Sequence, residues 1–582
     1  MIQFYKILFF ILLVTSKIFS QDIGSPVRAP KHEVRAVWLA TVMGLDWPRT
    51  FDRAAQQQSL REIVRSLKSA NFNTIFFQVR GRADAMYRSR YEPWSQQLTG
   101  TLGDDPGWDP LEFIITEAHA QGMEVHVWFN TFLVKSGGPR PTRSIPMHVI
   151  LTHPEWMQQV NGELWFDPGL PEVREYNMNV AMDIVRKYAI DGFQFDFIRY
   201  PGKSFPDEST YRVYGNGLPK DEWRRENINQ FLRAFHDSVS VMKPMLKIGA
   251  TPIGIYKNFN DVRGQQSYSE LYQDSRRWLK EKILDYIVPQ VYWSLGTGHW
   301  NPDFASVVRE WSGNTYDRQV YIGVGAYKPE VLKQIPVLID STRSIGLMGN
   351  SFFRYENIKS SLDVGARYET PAMVPSMLWK DNIPPCAPFG VQVSNITDGI
   401  FSIRWDNPLV AIDGDTAKSF AIYRSRIHPI DITDPSNLLK IVPGETHQLL
   451  DTIGHITSAN YSYAVTSIDK GNNESAPAVE SVVIPEIVQL AKAYANGFSL
   501  GMNYPNPASS VIFVPYELNE RAPVFLKILD KKSQEVLSIV DTVQEPGRYV
   551  ASANIEKLKD GTYTYLLIAG NATQKRTFEI DH

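Results

Sequence analysis

Cysteine is almost missing from this chain: Cys386 is the only one among 582 residues. That excludes an internal disulfide framework, and its place in the proline-rich run Pro384-Pro385-Cys386-Ala387-Pro388 gives no support to a cysteine nucleophile. Basic excess is missing too. Sixty Lys and Arg stand against 63 Asp and Glu, a net charge of -3, so a nucleic acid partner is not expected. The eleven histidines form no HxxxH pair on a helix and no group at zinc spacing, so neither a metal nor a cofactor is expected. No GxSxG elbow appears, and no glycine fingerprint follows the first strand pattern, which argues against a serine hydrolase and a dinucleotide fold. Long apolar runs are confined to the start. Lys6, the stretch Ile7 to Val14 and the polar Ser16, Ser20 and Gln21 read as a secretory signal peptide over residues 1–20, too short to span a bilayer. No later run is long enough for a transmembrane segment, so an exported chain is expected.

What is present is alternation. Across residues 31–380, short apolar runs alternate with longer amphipathic ones. Strands are predicted at Val34 to Thr41, Thr74 to Val79, Glu124 to Asn130, Gly192 to Ile198, Lys247 to Pro252, Tyr286 to Trp293, Val320 to Ala326 and Gly349 to Arg354. Helical patterns such as Ala54 to Ser69, Glu172 to Tyr188 and Asp221 to Met242 lie between them. Eight such units fit an α/β fold, a (β/α)8 TIM-like barrel, better than an open doubly wound sheet. Two small all-β sandwich domains are expected to follow, at residues 384–486 and 493–582, where turn residues separate short strands.

The barrel segment resembles the glycosyl hydrolase-like family ten, a group of exported bacterial barrel proteins. The resemblance rests on Glu33-Val34-Arg35-Ala36-Val37-Trp38-Leu39, Gln78-Val79-Arg80 with Asp84-Ala85, Glu92-Pro93-Trp94-Ser95, Asp167-Pro168-Gly169, Asp191-Gly192 with Asp196, Trp223 to Asn227 and Ile287 to Trp293. Relatives often carry an acid just after the strand-four aspartate, where this chain has Phe197. Residues 384–486 resemble fibronectin type III modules. The last unit is similar to the type IX secretion sorting domain, through Asn503-Tyr504-Pro505-Asn506-Pro507 and the Leu558 to Tyr565 run. That likeness implies the type IX secretion machinery as a partner and the outer-membrane surface or the extracellular space as the destination. Together these resemblances imply a secreted glycoside hydrolase acting on a polysaccharide, peptidoglycan or another cell-envelope glycan. A non-catalytic glycan-binding surface protein is the alternative.

Glycoside cleavage requires two carboxyl groups flanking the bond. In Gly192-Phe193-Gln194-Phe195-Asp196, alternation places Gln194 and Asp196 on one face and the phenylalanines on the other. Asp196 falls at the carboxyl end of strand four, where barrels present their chemistry, and is the first catalytic candidate. Asp84 and Glu92, in the loop after strand two, are the candidates for its partner. Asp191, at the start of the strand and of opposite parity, reads as a turn residue. Arg80, Trp94, Asn130, Arg199, Tyr200, Gln290 and Tyr292 are the expected substrate-binding set, since uncharged hydrogen-bonding groups and flat rings suit sugars. Trp47, Trp94 and Trp300 are the preferred stacking residues because turns surround them. His126, deeper in its strand, reads as a buried, hydrogen-bonded histidine.

Overall fold

The computed structural model describes residues 27–137, 141, 143–296, 302–397, 399–453, 461–478, 481–483, 498–570 and 572–582. The segment expected to be a signal peptide and Trp300 lie outside them. Eight parallel strands build the first unit: β1 (Val34–Leu39), β2 (Thr74–Arg80), β3 (Glu124–Asn130), β4 (Gly192–Asp196), β5 (Lys247–Ala250), β6 (Tyr286–Ile287), β7 (Gln319–Val320 with Ile322–Val324) and β8 (Gly349–Phe352). Their order is β7-β6-β5-β4-β3-β2-β1-β8-β7. The first half of β7 pairs with β6 and the second with β8, so a single strand broken at Tyr321 closes the sheet on itself.

Both faces of this wall are buried, as a closed parallel sheet demands. Outward residues such as Val37, Ile75, Phe77, Val125, Val127, Phe193 and Phe195 pack under a ring of helices. Among these are α1 (Arg53–Ser69), α2 (Pro110–His119), α3 (Pro171–Lys187) and α4 (Lys220–Met242). Their starts carry the expected chemistry: Asp52 accepts from the Ala55 amide, and Asp109 caps α2 with Pro110 in its first turn. The inward residues Val34, Ala36, Trp38, Phe76, Trp128, Tyr286 and Tyr321 form a separate core in the lumen. Glycine makes room for it. A Cβ on Gly192 would stand 2.3 Å from the His126 ring, and one on Gly249 would stand 2.2 Å from the Tyr286 ring, so these positions of β4 and β5 admit no side chain.

Between β3 and α3 the chain inserts a small antiparallel sheet, in which Leu133–Ser136 and Met157–Val160 flank Glu163–Phe166. It leaves the carboxyl end of β3 and therefore sits at the barrel mouth.

The second unit is a sandwich of β9 (Phe389–Thr397), β10 (Ile400–Asp406), β11 (Ser419–Ser425), β12 (Leu438–Pro443), β13 (Gln448–Thr452), β14 (Tyr461–Ile468) and β15 (Ser481–Val483), with sheets ordered β9-β10-β13 and β12-β11-β14-β15. The third repeats a three-plus-four arrangement between Phe498 and Ile580. The sandwich grips the foot of the barrel. Glu124, at the start of β3, accepts from Lys247 at 2.6 Å, from Lys418 of the sandwich at 3.0 Å and from Asn472 at 3.1 Å. Lys418 also lies 3.5 Å from Asp191, whose other oxygen meets His119 at 2.8 Å and the Val125 amide at 2.9 Å. His126 hydrogen-bonds Tyr286 at 2.8 Å and Glu124 at 3.1 Å.

Candidate active site

Strand alternation carries Asp196 to the mouth end of the lumen beside Asn130, its register partner on β3. Its Oδ1 accepts from the Phe197 amide at 2.7 Å and its Oδ2 from the Trp128 indole at 3.1 Å. The side chain is buried. Burial pushes its pKa above the usual carboxylate range, opposed by the Arg199 charge, the Phe197 amide and the Trp128 indole. Phe197 has φ of 46°, so the backbone leaves strand geometry right after the carboxylate, and its ring packs on Trp165 and under the Arg199 guanidinium.

Arg199 is where the site comes together. Burial lowers its pKa, and the charges that oppose this belong to Asp196, Glu163 and Tyr292. Its Nη1 has no hydrogen bond among the described residues. Glu163 stands on the inserted hairpin, half-buried, and accepts from the Trp165 indole at 2.9 Å. Tyr292 lies close enough to Asp196 that, after burial, this carboxylate is the largest influence raising its hydroxyl.

Aromatic rings gather around Phe353 at the mouth. Phe353, just after β8, stacks on Tyr292 with centroids 5.8 Å apart and meets Trp38, Trp128 and Tyr327 at 6.1 Å each. Tyr327 is exposed. These residues come from the ends of β1, β3, β6, β7 and β8, so five parts of the barrel contribute to one flat-walled mouth. Trp38 donates to Gln194 at 2.7 Å, which fixes the ring below Asp196.

The expected binding residues divide. Arg199 and Tyr292 adjoin Asp196. Asn130 donates to the Gly81 carbonyl at 2.9 Å and leaves its Oδ1 without a partner among the described residues. Gln290 is half-buried, with Nε2 3.4 Å from the Thr251 hydroxyl. Asp84 is half-buried in the β2 loop, where Oδ1 accepts from the Arg82 amide at 2.8 Å.

Others are corrected by burial. Arg80 and Glu92 form a fully buried ion pair at 2.6 Å, and Arg80 also donates to the carbonyls of Asn130 and Thr131 and to Asn177. With Tyr176 donating to Glu92 at 3.2 Å, neither partner faces a substrate. Tyr200 is sealed beneath the loops with Asn227 and Arg224. Trp94 is 8% exposed and packs in the core below Arg88. Trp47 is buried against Phe77 and Trp108. Turn residues around an aromatic were a poor guide here because the βα loops fold back and carry a core of their own.

The mouth also holds residues outside the expected set: Glu163, Trp38, Trp128, Tyr327 and Phe353. Trp128 shares the parity of Asn130 and was readable as lumen-facing. Glu163 had no such signal, because the hairpin carrying it is not part of the barrel repeat.

Residues 33–339 match the family described as Glycosyl hydrolase-like 10, and residues 503–580 match the Secretion system C-terminal sorting domain. "Glycosyl hydrolase YngK" of Bacillus subtilis (strain 168) is 32% identical over 484 residues, covering 76% of this chain and 92% of that protein. "Glycosyl hydrolase DigH" of Escherichia coli (strain K12) is 35% identical over 325 residues, covering 51% and 73%.

Proposed function

The chain belongs to the glycosyl hydrolase-like 10 family, and on that premise we propose an exported hydrolase of cell-envelope polysaccharide in which Asp196 donates the proton to the leaving oxygen. The observation that carries this reading is Asp196 itself: a carboxyl group at the end of β4, raised in pKa by burial and held by Trp128 beneath an aromatic mouth. A protonated carboxyl group in a dry site is what general acid catalysis requires.

Glu163 is the partner that the electrostatics favour, as nucleophile or base, because Arg199 senses it together with Asp196. Asp84 is absent from that set and acts instead on His148. Sugar rings stack on Tyr327 and Phe353, while Asn130 and Gln290 offer neutral hydrogen bonds to hydroxyls. The three-plus-four strand arrangement supports reading the second unit as fibronectin type III-like, and the sorting tail supports delivery by type IX machinery to the cell surface or beyond.

Incubation of the full chain with peptidoglycan glycan stripped of stem peptides, intact peptidoglycan and plant and algal polysaccharides tests this. Reducing ends should appear with the stripped glycan and fall at least about 100-fold in Asp196→Asn and in Glu163→Gln. Equal release by wild type and Asp196→Asn would remove Asp196 from the chemistry, and a drop in Asp84→Asn with Glu163→Gln unaffected would move the partner role to Asp84. Pull-down of glycan without any release would favour a binding protein.

A further inference from the structure

Where β8 meets β1, one buried carboxylate binds together the two loops that leave these strands at the mouth. Asp46 follows β1, and its side chain is fully buried. Its Oδ2 accepts from the Ala40 amide at 2.7 Å, which folds the loop after β1 back on the strand end. Its Oδ1 accepts from the Arg354 guanidinium and, at 2.9 Å, from the Glu356 amide, both on the far side of the seam. Arg354 also donates to the Leu45 carbonyl at 2.7 Å. A second pair, Arg49 with Glu356 at 3.1 Å, spans the same seam, but its arginine is exposed, and an exposed ion pair holds little. The seam therefore depends on Asp46, because a buried carboxylate with three donors cannot be altered without leaving a charge or an amide unpaired.

What the seam holds is Phe353, the residue before Arg354. Its amide donates to the Val324 carbonyl of β7 at 2.8 Å, so the backbone is tied to β7 at Phe353 and to Asp46 just beyond it. Phe353 and Leu45 both pack against the lumen core. The Phe353 ring lies edge-on to Trp128, with 6.1 Å between centroids and 72° between planes, and the Trp128 indole is the donor on Asp196 Oδ2 at 3.1 Å. Phe353 also stacks on Tyr292. A chain of contacts thus runs from Asp46 through Arg354 and Phe353 to the indole that holds the Asp196 carboxyl group.

We propose that Asp46 is a positioning residue of the hydrolase: by tying the loop after β8 to the loop after β1 it sets the Phe353 ring and, through that ring, the Trp128 indole on Asp196. The role rests on Asp196 as the acid, so its first measurement needs no substrate. With 4-fluorophenylalanine at position 353 of the full chain, the fluorine resonance should be single and displaced from that of the free amino acid by the rings around it. Asp46→Asn should broaden it or move it toward the free value. Asp109→Asn, which uncaps α2, should also lower the thermal midpoint yet leave the resonance in place, and this separates a set ring from general loss of stability. On peptidoglycan glycan stripped of stem peptides, Asp46→Asn and Phe353→Leu should each lower kcat about tenfold or more. The double variant should lose no more than Phe353→Leu alone, because both changes act through one ring. An unmoved resonance in Asp46→Asn, an equal displacement in Asp109→Asn, or losses in kcat that multiply would overturn the proposal. Wild-type cleavage by Asp196→Asn would instead strike the acid reading and with it the last link, while the resonance still decides whether Asp46 sets Phe353.

Discussion

Arg199 answers to the charges of Asp196 and Glu163, and its own charge acts on Asp196. It lowers Asp196, whose pKa burial has raised. Removing that charge in Arg199→Met frees burial to raise Asp196 further. If Asp196 is the proton donor, activity persists while it is protonated and fades as pH climbs through its pKa. The alkaline limb of kcat/KM should therefore move to higher pH in the variant, by roughly one unit or more. An unmoved limb would show that another group controls it, and an acid limb displaced upward would make Asp196 the nucleophile instead. Asp196 was legible in the sequence because a period of two and a strand end sufficed to place it. The proposed partner was not, since Glu163 stands on an inserted hairpin that no repeat announces.

The loops that follow the strands behave as elements in their own right. The β2 loop is folded back on Arg80, which spans from Glu92 to the carbonyl ends of β3. A buried ion pair is costly to break from one side, because the remaining charge keeps its desolvation penalty. Glu92→Gln should accordingly cost about 3–5 kcal/mol of stability in denaturant titration, while turnover per folded molecule stays near wild type. A collapse of kcat with stability intact would instead restore Glu92 as a catalytic acid. The eight-strand count was readable from hydrophobic periodicity, since each strand must be apolar on its helix-facing side. The break of β7 at Tyr321 and the inserted hairpin were not, because closure and insertion are decided by packing partners far along the chain.

At the scale of the whole molecule, the barrel foot and the sandwich share one charge network centred on Lys418. Burial opposes the charges of Glu124 and Asp191, yet both carboxylates end below their ordinary pKa, with Lys247 first and Lys418 next acting on Glu124, and Lys418 first on Asp191. A carboxylate depressed in the folded state stabilises above its unfolded pKa of about 4, and that contribution is lost as pH falls through the folded value. His119 runs the other way. Burial disfavours its charge, but Asp191 outweighs that and raises it, so its contribution is complete below about pH 6.5 and fades as pH rises through the folded value. Lys418→Met removes the ammonium that holds Glu124 and Asp191 down. Both folded pKa values should rise toward 4, and acid unfolding, followed by tryptophan fluorescence, should begin at higher pH than in wild type. Calorimetry at neutral pH should also show the barrel and sandwich transitions drawing apart, because the residue that joins them is gone. Coincident acid midpoints for the two proteins, with a single shared thermal transition in both, would mean that the barrel foot is held by packing and Lys247 alone.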